Sequence, residues 1–551
     1  MKPFVSIVAL CFALSASAQV APLYTFASPD EQQESLFGSA LAAVGDLDGD
    51  GVPDVAVSAP DEDAGPAGDA VVDGGQLHVF SGATGLLLRT FVSPNRETDA
   101  FFGEGLLPAG DRDGDGTPDV YVSASRETVD GAGGAGRVYL LSGADGTELA
   151  AFASPDPQPE GNFGFNLARL GDLTGDGVGE VGVSANGERV NGLPRAGRFH
   201  IFDGATDALV RTVAAPDPEV EAGFGYTLDD AGDLDGDGTS DIVTGAPFRT
   251  GPTGLDLAGR LYFVSGADGS AIRNVRSPNE TALGGFGRYV AGLGDVTGDG
   301  VPDVATGANG EPEQGSFAGR AYVVSGATGE AAVTLISPDE QTIGFFGELV
   351  EAAPDLDGDG LADLIVSARA EDENAAPQVF IGRVYVFSSD GTLLQTLEPP
   401  MPDPDGVQYF GYGIAALGDL DGDGGIEVGV GAWGENPPGS PPFAGRAYVF
   451  PVDRTTSAVT PSRVPSPLTL RTVPNPARSS ATVAFGLSEP GPVRLVLFDA
   501  VGRRVAVLAE GQRGPGSHVV QASLSSLPAG VYVLRLTAGS RAATHRLIVI
   551  P

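Results

Sequence analysis

The pattern D-x-[DT]-G-D-G-x-x-[DE] occurs seven times in this 551-residue chain, starting at Asp46, Asp111, Asp172, Asp233, Asp295, Asp355 and Asp419. The starts are 60 to 65 residues apart. A period of that length marks a repeat architecture, whose units bury their apolar faces against one another. Any fold open to the chain must therefore present seven near-equivalent acidic loops.

Positions 1, 3, 5 and 9 of each loop offer side-chain oxygens, and position 7 offers its carbonyl. Glycines at positions 4 and 6 permit the tight turn that brings them together. The first loop supplies Asp46, Asp48, Asp50, Val52 and Asp54, and the second Asp111, Asp113, Asp115, Thr117 and Asp119. The third has Asp172, Thr174, Asp176, Val178 and Glu180, and the fourth Asp233, Asp235, Asp237, Thr239 and Asp241. The fifth has Asp295, Thr297, Asp299, Val301 and Asp303, and the sixth Asp355, Asp357, Asp359, Leu361 and Asp363. Asp419, Asp421, Asp423, Gly425 and Glu427 complete the series. All-oxygen sets rich in carboxylates suit Ca²⁺ better than Mg²⁺ or zinc, so up to seven calcium ions are expected. An EF-hand is rejected, because position 12 is Val57, Val122 or Thr244 inside a strand rather than a bidentate acid before a helix. Without cations, the converging acids would repel one another. Seven near-equivalent sites point to a structural role for the metal.

With 82 glycines, 42 prolines and short Val-rich runs, the chain reads as all-β. Its net charge of −42 excludes nucleic acid and anionic lipid surfaces as partners. Residues 1–18 read as an export signal: Lys2, an apolar stretch over 4–14, and the small-residue site Ala16-Ser17-Ala18. The single cysteine, Cys11, lies in that segment behind Leu10, which argues against lipidation and leaves a mature chain without thiols. No segment is apolar for long enough to predict a membrane span.

The second repeat shows the plan. Phe101-Phe102-Gly103 opens a strand into the Asp111 loop, and Val120-Tyr121-Val122 follows. A variable stretch precedes Gly136-Arg137-Val138-Tyr139, a Ser-Gly turn and a last strand near Ser154-Pro155. Four antiparallel strands per repeat predict a seven-bladed β-propeller over 19–452. The seventh repeat lacks a fourth strand, and residues 22–29, which match Arg89-Thr90-Phe91-Val92-Ser93-Pro94, are expected to supply it and leave no free edge. The acidic loops and the Ser-Gly turns then share one face. The longer connections, such as 61–74, 249–258 and 434–444, share the other, where function is expected.

These residues carry a family resemblance. Phe-Gly, the acidic loop, then Ser58-Ala59-Pro60, Gly245-Ala246-Pro247 or Gly307-Ala308-Asn309 resembles the FG-GAP repeat of integrin α heads. The resemblance runs from about 22 to 451 and implies a seven-bladed propeller that binds ligands on the face away from its calcium loops. A cation loop in every blade departs from the integrin pattern.

The repeats also act as internal controls. Glu62, Glu127, Glu188, Glu311, Glu371 and Glu435 fall three positions after the Ala of the Gly-Ala-Pro-like element, and Arg137, Arg198, Arg260, Arg320, Arg383 and Arg446 open strand three. Pairing of Glu with Arg within a blade is expected where both occur, and no catalysis. His78 and His200 fill a slot held elsewhere by tyrosine and read as packing variants. Two exceptions remain as candidate ligand contacts: Arg249, where other repeats have Glu, and Trp433, the only tryptophan.

After a linker at 453–470, residues 471–551 hold few acids and several alternating runs, which predicts a small Ig-like β-sandwich. Pro474-Asn475-Pro476, Phe498-Asp499-Ala500-Val501-Gly502-Arg503 and Leu527-Pro528-Ala529-Gly530-Val531-Tyr532 resemble the sorting domain of the type IX secretion system. The resemblance implies engagement of that machinery and export to the surface or surroundings of a Gram-negative cell. No Ser/His/Asp or metal-histidine constellation can be assembled. The expected function is therefore a calcium-binding adhesion or recognition module for an extracellular protein or glycan. A secreted propeller enzyme, such as a polysaccharide lyase or phospholipase-like hydrolase, is the alternative.

Overall fold

The computed structural model describes residues 19–550 except 65–70, 251–253, 313–316, 373–379, 402–405, 438, 453–469, 474–476, 479, 488–490, 500–502, 514–515, 525–526, 529 and 539–540. The export segment 1–18, nearly all of the 453–470 linker and Pro474-Asn475-Pro476 lie outside the described residues. Every helix or strand assigned among those described is a strand, and the chain divides into two compact units, Met1–Ser457 and Ala458–Pro551.

The first unit holds seven antiparallel four-stranded sheets. In the second sheet the strands Phe102–Gly110, Asp119–Ala124, Arg137–Leu141 and Glu148–Ala153 pair in sequence order. Val120, Tyr121 and Val122 favour extended backbone, and all six positions of this strand are buried, without in–out alternation. Neighbouring sheets cover both of its faces, as happens wherever a sheet is sandwiched on both sides. The outermost strand Glu148–Ala153 has no fully buried residue.

The innermost strands pack in a closed cycle. They are Leu41–Gly45, Phe102–Gly110, Phe163–Arg169, Leu228–Gly232, Val290–Gly294, Phe346–Ala353 and Gly413–Gly418, and the last touches the first. This is a seven-bladed β-propeller. The seventh sheet has three strands of its own, Gly413–Gly418, Glu427–Ala432 and Arg446–Pro451. Tyr24–Phe26 supplies the fourth, with Tyr24 opposite Val449 and Phe26 opposite Ala447. Joining the two ends of the ring in one sheet leaves no blade half built.

The core of this unit lies between the sheets rather than within them. Seven apolar clusters occur among its described residues, one at each interface. The first sheet gives Leu77, Val79 and Phe91 to one cluster, and the second gives it Phe102, Val122 and Tyr139. Phe37, Phe102, Phe163, Phe224, Phe286, Phe346 and Phe410, the aromatic residues of the Phe-Gly element, are all fully buried. Each stabilises its interface by about 1.5–3 kcal/mol. The glycine that follows has a close-approach role: Gly347 has φ +77°, and a Cβ there would fall on the carbonyl oxygen of Arg320 in the preceding sheet.

The second unit contains two sheets. Leu470–Val473, Ser480–Leu487 and Gly516–Ser523 form one, and Arg504–Arg513, Gly491–Asp499, Gly530–Ala538 and Arg541–Val549 the other. Val483 and Phe485 of the first share one apolar cluster with Leu495, Leu497, Leu534, Leu536 and Leu547 of the second. The result is a sandwich of two sheets over a single core.

Candidate cation loops and the opposite face

The acidic loop is wound by its own carboxylates. Asp46 accepts hydrogen bonds at Oδ1 from the N–H of Gly49 (2.7 Å) and Asp50 (3.0 Å), and at Oδ2 from Gly51 (2.8 Å). Asp50 Oδ1 accepts from the N–H of Val52 (2.9 Å). Gly49 and Gly51 have φ near +80° and +93° with open space around them, so glycine is required there by backbone conformation and not by crowding. The same bond from position 7 to position 5 recurs at Thr117, Val178, Thr239, Val301, Leu361 and Gly425, with lengths of 2.6–3.1 Å.

Winding the loop gathers oxygens. One carboxylate oxygen from each member of a trio lies within 4.8 Å of the others in five loops. Positions 1, 3 and 5 converge in Asp46/Asp48/Asp50, Asp111/Asp113/Asp115 and Asp355/Asp357/Asp359. Positions 1, 3 and 9 converge in Asp233/Asp235/Asp241 and Asp419/Asp421/Glu427. No such trio forms among the described residues of the third and fifth loops, where Thr174 and Thr297 replace an acid. Hard oxygens at that spacing fit a hard divalent cation.

The ninth position does more than face the loop. Asp54 is fully buried; its Oδ2 accepts from Leu47 N–H (2.7 Å) and its Oδ1 from Gly82 N–H (3.0 Å). Gly82 belongs to the turn between strands three and four, so this carboxylate ties the acidic loop to that turn on one face of the ring. Asp119, Asp241 and Asp303 make the same two ties. Burial raises the carboxyls of Asp54, Asp241 and Asp303, and it pushes Asp363 up to about 6 and Glu427 up to about 7, with the neighbouring loop acids adding to the rise. A cation within the loop would counter that rise.

On the far side of each sheet, the glutamates expected to pair with arginine are fully buried, and their main partners differ from that expectation. Glu127 accepts from the Tyr139 hydroxyl (2.6 Å), Glu435 from Tyr448 (2.7 Å) and Glu371 from Tyr385 (2.5 Å). In the first sheet His78 Nε2 lies 2.7 Å from Glu62, and its Nδ1 2.9 Å from the Thr90 hydroxyl. His78 is thus a polar stand-in for the tyrosine hydroxyl rather than a packing variant, whereas His200 Nε2 lies 3.5 Å from Glu188 and makes no hydrogen bond to any described residue. The arginine reaches the glutamate in the second, third and fifth sheets, at 2.6, 3.3 and 3.9 Å. Arg383 and Arg446 turn instead to Asp339 and Glu398, and to Glu31.

A serine partner escaped the sequence reading. Ser28 Oγ, at the end of the seventh sheet's outer strand, donates to Glu62 of the first sheet (2.5 Å), and Ser277 donates likewise to Glu311 of the next sheet. The signal was the recurrent Ser-Pro pair, legible at Ser28, Ser93, Ser154, Ser277 and Ser337. Where Arg249 replaces glutamate, Ala215 replaces the serine of the preceding sheet. Arg249 is only 6 % exposed and meets Asp217 (2.8 Å), Glu219 (2.7 Å) and the Tyr262 hydroxyl (2.5 Å). Its guanidinium is absorbed by a charge-reversed version of the same tie.

Trp433 is half-buried in an aromatic group on the variable-loop face. Its ring stacks on Tyr409 at 4.9 Å and meets Tyr412 at 5.7 Å and Phe443 at 6.0 Å. Its Nε1 has no hydrogen-bond partner among the described residues. Tyr409 and Phe443 hold positive φ, a conformation that costs bulky residues energy and is kept only where surrounding contacts enforce it.

The FG-GAP repeat model matches residues 37–80, 102–141, 224–264, 287–324 and 346–387. The two sheets left unmatched are those whose loops close with glutamate, Glu180 and Glu427. The model of the secretion system C-terminal sorting domain matches 472–550. Integrin alpha-5 of Xenopus laevis is 29 % identical over 44 % of this chain and 23 % of its own length. Integrin alpha pat-2 of Caenorhabditis elegans is 30 % identical over 37 % of this chain and 17 % of its own. The chain thus spans about a fifth of the length of the curated relatives it matches. Among solved structures, PorZ, a surface component of the type-IX secretion system of Porphyromonas gingivalis, is 11 % identical with a TM-score of 0.37, covering 90 % of this chain and 58 % of that one. A likeness at that level carries no functional weight.

Proposed function

For a chain built of FG-GAP repeats and ending in a type IX sorting domain, we propose a calcium-stabilised recognition module that is exported and works at or beyond the cell surface. The observation that carries this reading is the division of labour between the two faces. One face carries the loops in which carboxylate oxygens converge, tied by buried acids to the neighbouring turns. The other carries the variable connections and the Trp433 aromatic group, free of that structural duty. Calcium holds the first face and an extracellular protein or glycan engages the second. Export of a chain cleaved after Ala18, with 453–470 as linker, completes the proposal. The likeness to integrin alpha chains supports this reading.

Calorimetric titration of the metal-free chain with calcium, followed by whole-cell and glycan-array binding with and without the ion, tests the reading. Binding of several calcium ions and calcium-dependent capture of a ligand are expected. Turnover of a polymer by the purified chain, or an unchanged melting temperature in chelator, would overturn it.

A further inference from the structure

In the sixth sheet, as in the seventh, the arginine of the third strand turns away from the buried glutamate. In the second sheet, Arg137 Nε donates to Glu127 Oε1 at 2.6 Å while Tyr139 takes the other carboxylate oxygen, so the buried acid has a cation beside it. The corresponding Arg383 turns outward to Asp339 and Glu398. Glu371 keeps its tyrosine, Tyr385, on Oε2, but its Oε1 is buried and makes no hydrogen bond to any described residue. The nearby Ser337 hydroxyl is directed to that of Tyr385 (3.4 Å). Burial pushes the Glu371 carboxyl up to about 7 against the opposing pull of Ser337, Tyr385 and Arg383, so a further cation beside it would be favoured.

Beside this acid is a small, partly open pocket lined by Glu371, Asp372, Arg383, Glu398, Pro399 and Gln19 among others. Gln19 is the residue that follows Ala16-Ser17-Ala18. It is held in place: its Nε2 donates to Pro399 O (2.8 Å), and the adjoining Val20 packs against the core between the sixth and seventh sheets. Three residues on, Leu23 N–H bonds to Val449 O (2.7 Å) and opens the strand that completes the ring.

We infer that leader cleavage after Ala18 creates a ligand for this pocket. The new α-ammonium of Gln19 enters it and pairs with Glu371, taking the place that Arg383 has left. Hydrolysis of the Ala18–Gln19 amide by water gives a carboxylate on the leader and an amine on the mature chain, which is protonated at neutral pH. The uncleaved chain carries a neutral amide at that point and has no such cation. Removal of the leader therefore strengthens the seam where the ring is closed.

The test begins with mass spectrometry of the exported protein, where a first residue other than Gln19, or a glutamine cyclised and so uncharged, would overturn the inference. On mature chain with calcium present, acetylating the α-amine is expected to lower the melting temperature by several degrees, and to leave it unchanged in Glu371→Gln. Equal shifts in both chains, or none in the native one, would refute the pairing. The reactivity of the Gln19 amine toward acetic anhydride supplies a readout without any variant: at least ten-fold slower reaction in the folded chain than in urea is expected, and equal rates would overturn the assignment. These measurements are independent of whether the variable face binds a ligand.

Discussion

His78 Nε2 lies 2.7 Å from Glu62 Oε2 with both side chains closed off from solvent, and the Ser28 hydroxyl reaches the other oxygen of the same carboxylate. Ser28 stands in the seventh sheet and Glu62 in the first. One buried acid thus joins an imidazole within its sheet to a hydroxyl across the seam of the ring.

Removing that imidazole leaves a buried carboxylate oxygen without a partner. His78→Leu is expected to destabilise the first unit by about 1–3 kcal/mol. His78→Tyr, which restores the repeat's usual hydroxyl donor, is expected to cost less than half as much. Urea unfolding of the two variants against the native chain checks both.

Position 9 and position 3 of the first loop should separate in their response to chelator. Asp48 is exposed and under the proposed reading faces the cation, whereas Asp54 is buried and holds Leu47 and Gly82 by hydrogen bonds. Asp48→Ala is expected to reduce calcium stoichiometry by one and to leave chelated stability unchanged. Asp54→Ala is expected to cost about 1–3 kcal/mol even in chelator. Calorimetry and thermal melts, each run with and without calcium, distinguish the two.

Arg249→Glu returns the fourth sheet to the repeat's common residue and is nevertheless expected to be harmful. Asp217 and Glu219 would face a third acid, and the Tyr262 hydroxyl alone would be left to satisfy it. Asp217 and Glu219 keep about half and over a third of their side-chain surface exposed, so a loss of about 1–3 kcal/mol is expected, from the buried glutamate left poorly satisfied. A melting temperature equal to that of the native chain would contradict the charge-reversed tie.

Glu351 and Asp229 provide a pH signature. Burial, then the Asp229 charge, pushes the Glu351 carboxyl up to about 8, and burial pushes Asp229 up to about 6. Both keep some contact with solvent, and the Asp229 charge opposes ionisation of Glu351. A folded-state value above the unfolded one means that the folded chain binds the extra proton. The pair's contribution is therefore fully present below about pH 4 and falls as pH rises toward 8. With calcium saturating, Glu351→Gln is expected to flatten that decline. Equivalent positions in the other sheets carry Ala42, Leu107, Ala168, Ala291 and Ala415, so folding should survive the change. Denaturant unfolding between pH 5 and pH 8 reads the slope.

Much of this protein was legible because it is written seven times. The Phe-Gly element, the acidic loop and the Ser-Pro pair recur in register, so each repeat reports on the others. The Tyr24–Phe26 match to the outer strand of the first sheet pointed to the closing pair with Ala447–Val449. What repetition cannot report is direction. The sequence placed a glutamate and an arginine together in five of the seven sheets without saying that Arg383 turns away while Arg137 turns in. It placed Arg249 as an exception without saying that Asp217 and Glu219 enclose it.

By itself, then, the sequence determined the period, the strand count per repeat, the oxygen-rich loops and the way the chain ends meet, because backbone conformation and alternating chemistry are local properties. Only the tertiary structure decided which buried acid is answered by tyrosine, histidine, serine or arginine, and which is left with a pocket beside Gln19. Those choices depend on side chains from adjacent sheets competing for the same few oxygens in space that water cannot reach, and that competition exists only once the ring has closed.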